Sequence, residues 1–198
     1  MFEMANSPDT GEASEVATVL TGNLDAFRAI VERHSHRLFR LAYRMTGNTQ
    51  DAEELVQETF LRAYCGLAKF DGRSSVGTWL YRICVRCSLD EVRKRKTGAE
   101  LRQSAKADCA PDRYEQASSL PAPDRLFYSA EVKRHVEAAL CALSPNERAA
   151  FVLRHYEGLS IEEISAILGL GTSATKHAIF RGVKKLRRSL EPLVVRLR

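Results

Sequence analysis

No stretch of this chain approaches the roughly 20 apolar residues that a membrane-spanning helix needs, and its opening, MFEMANSPDTGEASE, has no apolar core of secretory length. A cytoplasmic protein without a membrane partner is expected. Cysteine is sparse: Cys65, Cys84, Cys87, Cys109 and Cys141 are odd in number and too few for a disulfide scaffold, and a reducing compartment would keep them as thiols. The apolar–polar alternation of half-buried strands is missing, as is any internal repeat. No set of four ligands accompanies His34, which reads as a core-edge histidine rather than a metal ligand. No metal, cofactor or catalytic residue is expected.

What is present is helical periodicity, almost throughout. The 198 residues suffice for one ordinary domain or two small ones with a linker, and two small cores are expected. Phe27, Ile30, Val31, His34, Leu38, Leu41, Ala42 and Met45 recur at intervals of three and four, on one stripe of a helix that ends near Gly47. Asn48 can cap the next helix, whose buried side is Ala52, Leu55, Val56, Thr59, Phe60 and Ala63; Asp51, Glu54, Glu58 and Leu61 lie on its other side. After the loop KFDGRSSVGT a third helix begins near Val76, with Val76, Leu80, Ile83, Cys84 and Cys87 on its apolar stripe. The expected organisation is all-α: a tail over 1–19, a helical domain over 20–96, a flexible linker over 97–123, rich in Ala, Ser, Asp and Pro, and a second helical domain over 124–198.

In the second domain two capping boxes follow in close succession, Ser144 with Glu147 and Ser160 with Glu163, and Pro145 occupies a first helical position. Gly158 and Gly169 fall where helix C-caps are expected. The short helix at 161–168, the turn GLGT and the helix after it make a helix-turn-helix. Its second helix turns Thr175, Ala178, Ile179, Gly182 and Leu186 inward and leaves Ser173, Lys176, His177, Arg181 and Lys184 outward. Such a face can read duplex DNA from its first turns; the plainer alternative is a solvated basic surface. The net charge of +5 permits an anionic partner without identifying one, but its local runs, RKRK at 93–96 and KKLRR at 184–188, lie near helix ends.

The first domain has a second set of DNA-binding equipment. Trp79 with Arg82 and Arg86, at spacings of three and four on a face away from the apolar stripe, adjoins a loop holding Lys69, Phe70 and Arg73. A ring to stack on and cations along the backbone suit unstacked bases; an ordinary core-edge aromatic is the other reading of Trp79. Two other functions compete. One is a stand-alone helix-turn-helix regulator. The other is a thiol redox sensor built on CVRC, which lacks the helix N-terminus and the sheet that thioredoxin-like chemistry needs.

The run DAEELVQETFLRAYCGLAKFDGRSSVGTWLYRICVRCSLDEVRKRK, residues 51–96, closely resembles region 2 of the extracytoplasmic-function (ECF) sigma factors of bacterial RNA polymerase. The run LSPNERAAFVLRHYEGLSIEEISAILGLGTSATKHAIFRGVKKLRR, residues 143–188, is similar to their region 4. The resemblance implies a non-enzymatic factor that joins core RNA polymerase, directs it to promoter DNA and helps to melt it. It implies that Asp51, Glu54, Glu58 and Leu61 dock on the beta-prime clamp helices, and that Lys69, Phe70, Arg73, Trp79, Arg82 and Arg86 serve the single-stranded minus-ten element. Thr172, Ser173, Lys176, His177, Arg181 and Lys184 would read the minus-thirty-five duplex, with region 4 resting on the beta flap. Family members are often held by an anti-sigma factor. The chain departs from the family pattern at Arg86, where Asn is frequent, at His177 and Ala178, where Ser and Arg are frequent, and at Gly171, where Pro is frequent.

Overall fold

The computed structural model describes residues 10–101, 132 and 134–196, and every described regular element is helical. Helix α1 (Thr10–Leu20) precedes α2 (Leu24–Thr46), α3 (Thr49–Gly66), a single 3-10 turn (Leu67–Lys69) and α4 (Val76–Leu101). Helix α5 (134–141) opens the second half, followed by α6 (Pro145–His155), α7 (Ile161–Leu168) and α8 (Thr172–Arg196).

The joint between α2 and α3 takes two residues with opposite backbone demands. Gly47 ends α2 at φ 75°, a left-handed conformation that costs a Cβ-bearing residue, and its N–H bonds to the Tyr43 carbonyl at 2.7 Å. Asn48 then takes extended backbone and its side chain accepts from the Asp51 N–H at 3.0 Å, starting α3. α4 packs on both α2 and α3, burying Val76, Leu80, Cys84 and Val85 against Leu38, Leu41 and Ala63. His34 is buried where α2 meets α4; a Cβ on Gly77 would stand 3.4 Å from its ring.

The expected tail over 1–19 is not all tail. Thr10–Leu20 is helical, Val16 and Val19 are buried in the core, and Glu15 receives two hydrogen bonds from Arg33 of α2 at 2.8 and 2.7 Å. Two apolar residues three apart are too short a pattern to mark a helix before its partner surface is known.

In the second half both capping boxes form, and Gly169 ends α7 at φ 65°. Across the turn, the Ser165 and Thr175 hydroxyls lie 3.0 Å apart in a buried position, fixing α7 against α8. Gly182 lets α8 approach α6 so closely that a Cβ there would sit 3.3 Å from the Glu147 carbonyl oxygen. Both expected helical domains form, and their apolar residues meet: Ala149, Val152, Leu153, Leu159, Ile164 and Ile167 belong to one continuous apolar cluster with α2 and α4. Ala139, Leu140, Leu143 and Leu186 form a smaller satellite. The expected linker lies mostly outside the described residues, since α4 extends to Leu101 and the following described residue is 132.

Candidate nucleic-acid interface

Three surfaces carry the side chains singled out in the sequence. The first is the loop between the 3-10 turn and α4. Phe70 is half-buried against Trp79, ring centroids 5.3 Å apart and planes tilted by 59°. Arg73 pairs with Asp71 at 3.2 Å and its own N–H bonds back to the same carboxylate, closing a small turn around Gly72, φ 70°. Ser75 caps α4 by accepting from the Thr78 N–H at 3.1 Å. Lys69, Arg73 and Arg86 are exposed. Trp79, expected outward, is half-buried, because Phe70 covers one side of it and α3 lies against it, where a Cβ on Gly66 would stand 3.8 Å from its ring. Arg82 is also half-buried, with its Nε enclosed and without a hydrogen-bond partner.

The second surface is the polar side of α3. Glu54 is exposed and accepts from the Gln50 amide at 3.3 Å; Glu58 pairs with Arg62 at 2.6 Å, and that hydrogen bond raises the Arg62 pKa. Asp51 is half-buried at the start of the helix, and Leu61 is 63% exposed. These carboxylates line a groove of about 450 Å³ whose other wall is Asp90 and Glu91 of α4. Asp90 and Glu91 were missed by sequence reasoning, because only the packing of α4 on α3 brings them to the same groove.

The third surface is α8. Thr172, Ser173, Lys176, His177, Arg181 and Lys184 are all exposed, and Thr175, Ala178, Gly182 and Leu186 are buried as expected. Arg181 is not free: its Nε lies 3.3 Å from the Glu147 carboxylate, which also takes Lys185 at 2.7 Å. Burial tends to raise the Glu147 pKa, but the Lys185 hydrogen bond and the Ser144 cap outweigh it and hold the carboxyl below its ordinary value. Phe180 was missed. It is 66% exposed and stands four residues from both Lys176 and Lys184, on the same face; its signal in the sequence was that spacing.

The CVRC pair belongs to none of these surfaces. Cys84 is fully buried and burial pushes its thiol up to about 12; Cys87 is 5% exposed and burial raises it too. Thiols raised in this way are poor nucleophiles and poor redox centres. Cys109 lies outside the described residues.

Among the described residues every regular element is helical, and the helix-turn-helix in the second half is the architecture of a DNA-binding protein. Residues 30–97 match the family model of Sigma-70 region 2 and residues 133–186 that of Sigma-70 region 4. The chain is 32% identical to the ECF RNA polymerase sigma factor SigW of Bacillus subtilis, over 90% of this chain and 96% of that protein. It is 36% identical to the ECF RNA polymerase sigma factor SigE of Mycolicibacterium smegmatis, over 90% of this chain and 66% of that protein. CnrH, solved in complex with the cytosolic domain of CnrY, superposes with a TM-score of 0.64 at 27% identity, covering 91% of this chain and 97% of that one. The chain belongs to the ECF RNA polymerase sigma factors, non-enzymatic factors that direct the polymerase in promoter recognition.

Proposed function

We propose that the work of promoter recognition is divided among the three surfaces. The acidic side of α3, with Asp51, Glu54, Glu58 and Leu61, is the dock for the clamp helices of the beta-prime subunit. An exposed leucine beside a cluster of carboxylates is costly to leave in water and complements a basic, partly apolar partner. The loop with Lys69, Phe70 and Arg73, together with Trp79, Arg82 and Arg86, holds the melted minus-ten strand. The Phe70–Trp79 pair supplies the apolar platform and the enclosed, unpaired Arg82 Nε is a donor awaiting an acceptor. The α8 face reads the minus-thirty-five duplex through Thr172, Ser173, Lys176, His177 and Lys184, with Arg181 held toward the backbone by Glu147 and the exposed Phe180 available for thymine methyl or sugar contact. Region 4 also rests on the beta flap. A cytoplasmic location follows from that partner, and an anti-sigma protein is a further partner to expect of this family.

The observation that carries this reading is an acidic face of α3 with an exposed leucine, Leu61, on the same domain as the aromatic loop, with the helix-turn-helix on the other. A stand-alone helix-turn-helix regulator has no use for the first two. The test is gel filtration with core polymerase. The Glu54→Lys, Glu58→Lys double variant should keep its helicity and melting temperature, since exposed charges contribute on the order of 0.5 kcal/mol each, and should no longer co-elute. Unimpaired co-elution would sink the docking assignment.

A further inference from the structure

Helices α2 and α3 run antiparallel from their joint at Gly47 and Asn48, so the start of α2 lies beside the end of α3. There the Phe27 and Tyr64 rings meet edge to face, with centroids 5.1 Å apart. Leu24 lies one turn before Phe27 and Leu61 one turn before Tyr64, each sharing a helix face with its ring. Leu20, the last residue of α1, comes four residues before Leu24 around a short corner. Seven large apolar side chains are left in water among the described residues, and four of them, Leu20, Leu24, Leu61 and Tyr64, gather at this end, between 48% and 64% exposed.

The corner that presents the two leucines is held in place. The Thr21 hydroxyl donates to the Thr18 carbonyl at 2.7 Å, Gly22 takes a φ of 95°, and the Asn23 side chain accepts from the Asp25 and Ala26 N–H groups at 3.0 and 3.3 Å. Val16 and Val19 root α1 in the core. Single exposed leucines are ordinary, but a contiguous apolar patch in fixed geometry marks a surface on which another protein sits.

The chemistry of that protein is set by what borders the patch. Along α3 the order from the joint outward is Asp51, Glu54, Glu58, Leu61, Tyr64, carboxylates first and apolar groups after, over about 20 Å of helix. The nearby cations Arg28 and Arg62 are each paired with a carboxylate, Asp25 at 3.3 Å and Glu58 at 2.6 Å, so they do not oppose a basic partner. A helical surface that is basic toward one end and apolar toward the other complements this strip.

We propose that Leu20, Leu24 and Phe27, which precede residue 30 where the likeness to region 2 begins, form with Tyr64 the apolar end of the polymerase dock. They receive the apolar part of the same helical surface whose basic part meets Glu54 and Glu58. This rests on the docking assigned to α3 above. Helix α1 is then a working part of the dock, with the carboxylates steering the approach and the patch setting how long the complex lasts.

The test is titration of core polymerase with the full-length chain carrying Leu24→Asp or Leu20→Lys. Leu24 opens α2 and Leu20 closes α1, so an acid at the first and a base at the second each suit the helix dipole and should leave the melting temperature unchanged. Each should weaken core binding about five- to thirtyfold, while Leu24→Met, which keeps the apolar area, should bind like wild type. Unaltered affinity in both leucine variants would overturn the proposal. So would a free wild-type chain that sediments as a dimer and becomes monomeric with Leu24→Asp while its affinity for core is unchanged, since the patch would then belong to a second copy. Loss of binding in the Glu54→Lys, Glu58→Lys variant alone would keep the α3 dock and remove its apolar extension. Loss in the leucine variants alone would displace the acidic assignment and leave the apolar contact standing.

Discussion

Glu147 shows how one residue can serve a local and a long-range need together. Its side chain accepts from the Ser144 N–H at 3.1 Å, closing the box that starts α6, and the same carboxylate holds Lys185 and Arg181 of α8. The carboxyl is 6% exposed, whereas both cations are more than half exposed, so the pair is worth less than a fully buried one. Glu147→Gln should therefore cost about 1–2 kcal/mol at neutral pH, measured by chemical denaturation. Because the folded pKa lies below the ordinary value of 4.5, this stabilisation is fully present above that value and is lost as pH falls through the folded one. The gap between the variant and wild type should close on acidification; a gap that persists at pH 3 would contradict the ion-pair account. The cysteines differ from one another for a similar reason of environment. Cys65 is exposed and should react first with a thiol reagent among the described cysteines, while Cys84 and Cys87 should stay protected until the chain unfolds. Replacing both of these by Ala should cost about 1–3 kcal/mol in lost packing and leave promoter choice unchanged.

At the scale of the element, α8 is placed by what it lacks. The absence of a side chain at Gly182 allows its backbone to meet α6, so Gly182→Val should force the two helices apart at a cost of about 1–3 kcal/mol and weaken duplex binding by tilting the reading face. A variant with wild-type stability in thermal melts would show that α8 is positioned elsewhere along its length. Such packing was only partly legible beforehand. The capping boxes at Ser144 and Ser160, the αL glycine at 169 and the inward set Thr175, Ala178, Gly182 and Leu186 could be read from residue order, because caps and helical periods are local. Helix α1, the burial of Trp79 under Phe70, and Asp90 and Glu91 in the acidic groove could not, since each depends on a residue from another element. The same holds for Glu157, an ordinary loop acid in the sequence that becomes 12% exposed only when the halves meet. Phe180 is an intermediate case: its face was known, but an aromatic residue was not expected to be left in water there.

For the whole molecule, the two readers should fail at different stages of initiation, and this gives the most demanding check on their assignment. Lys176 and His177 lie in the first turns of α8 and would act on intact duplex, before any strand separates. Their Ala variants should weaken promoter binding by about 1–3 kcal/mol if the side chain reads a base, with relaxed preference at one upstream position. If the contact is to phosphate, affinity should fall for all sequences alike and its salt dependence should become shallower. Trp79 acts later. Removing its ring should leave the closed complex nearly intact and impair opening, by an amount comparable to one stacked base, about 1–3 kcal/mol. Since Trp79 also supports Phe70, Trp79→Phe is the needed companion: it keeps an aromatic partner at that position and should retain the fold while stacking less area on a base. A promoter carrying a pre-melted bubble removes the cost of strand separation. It should restore much of the transcription lost by both Trp79 variants and none of that lost by the α8 variants, whose defect precedes melting. An equal response of the two groups to the bubble would mean that the halves of this chain do not divide duplex reading from strand capture.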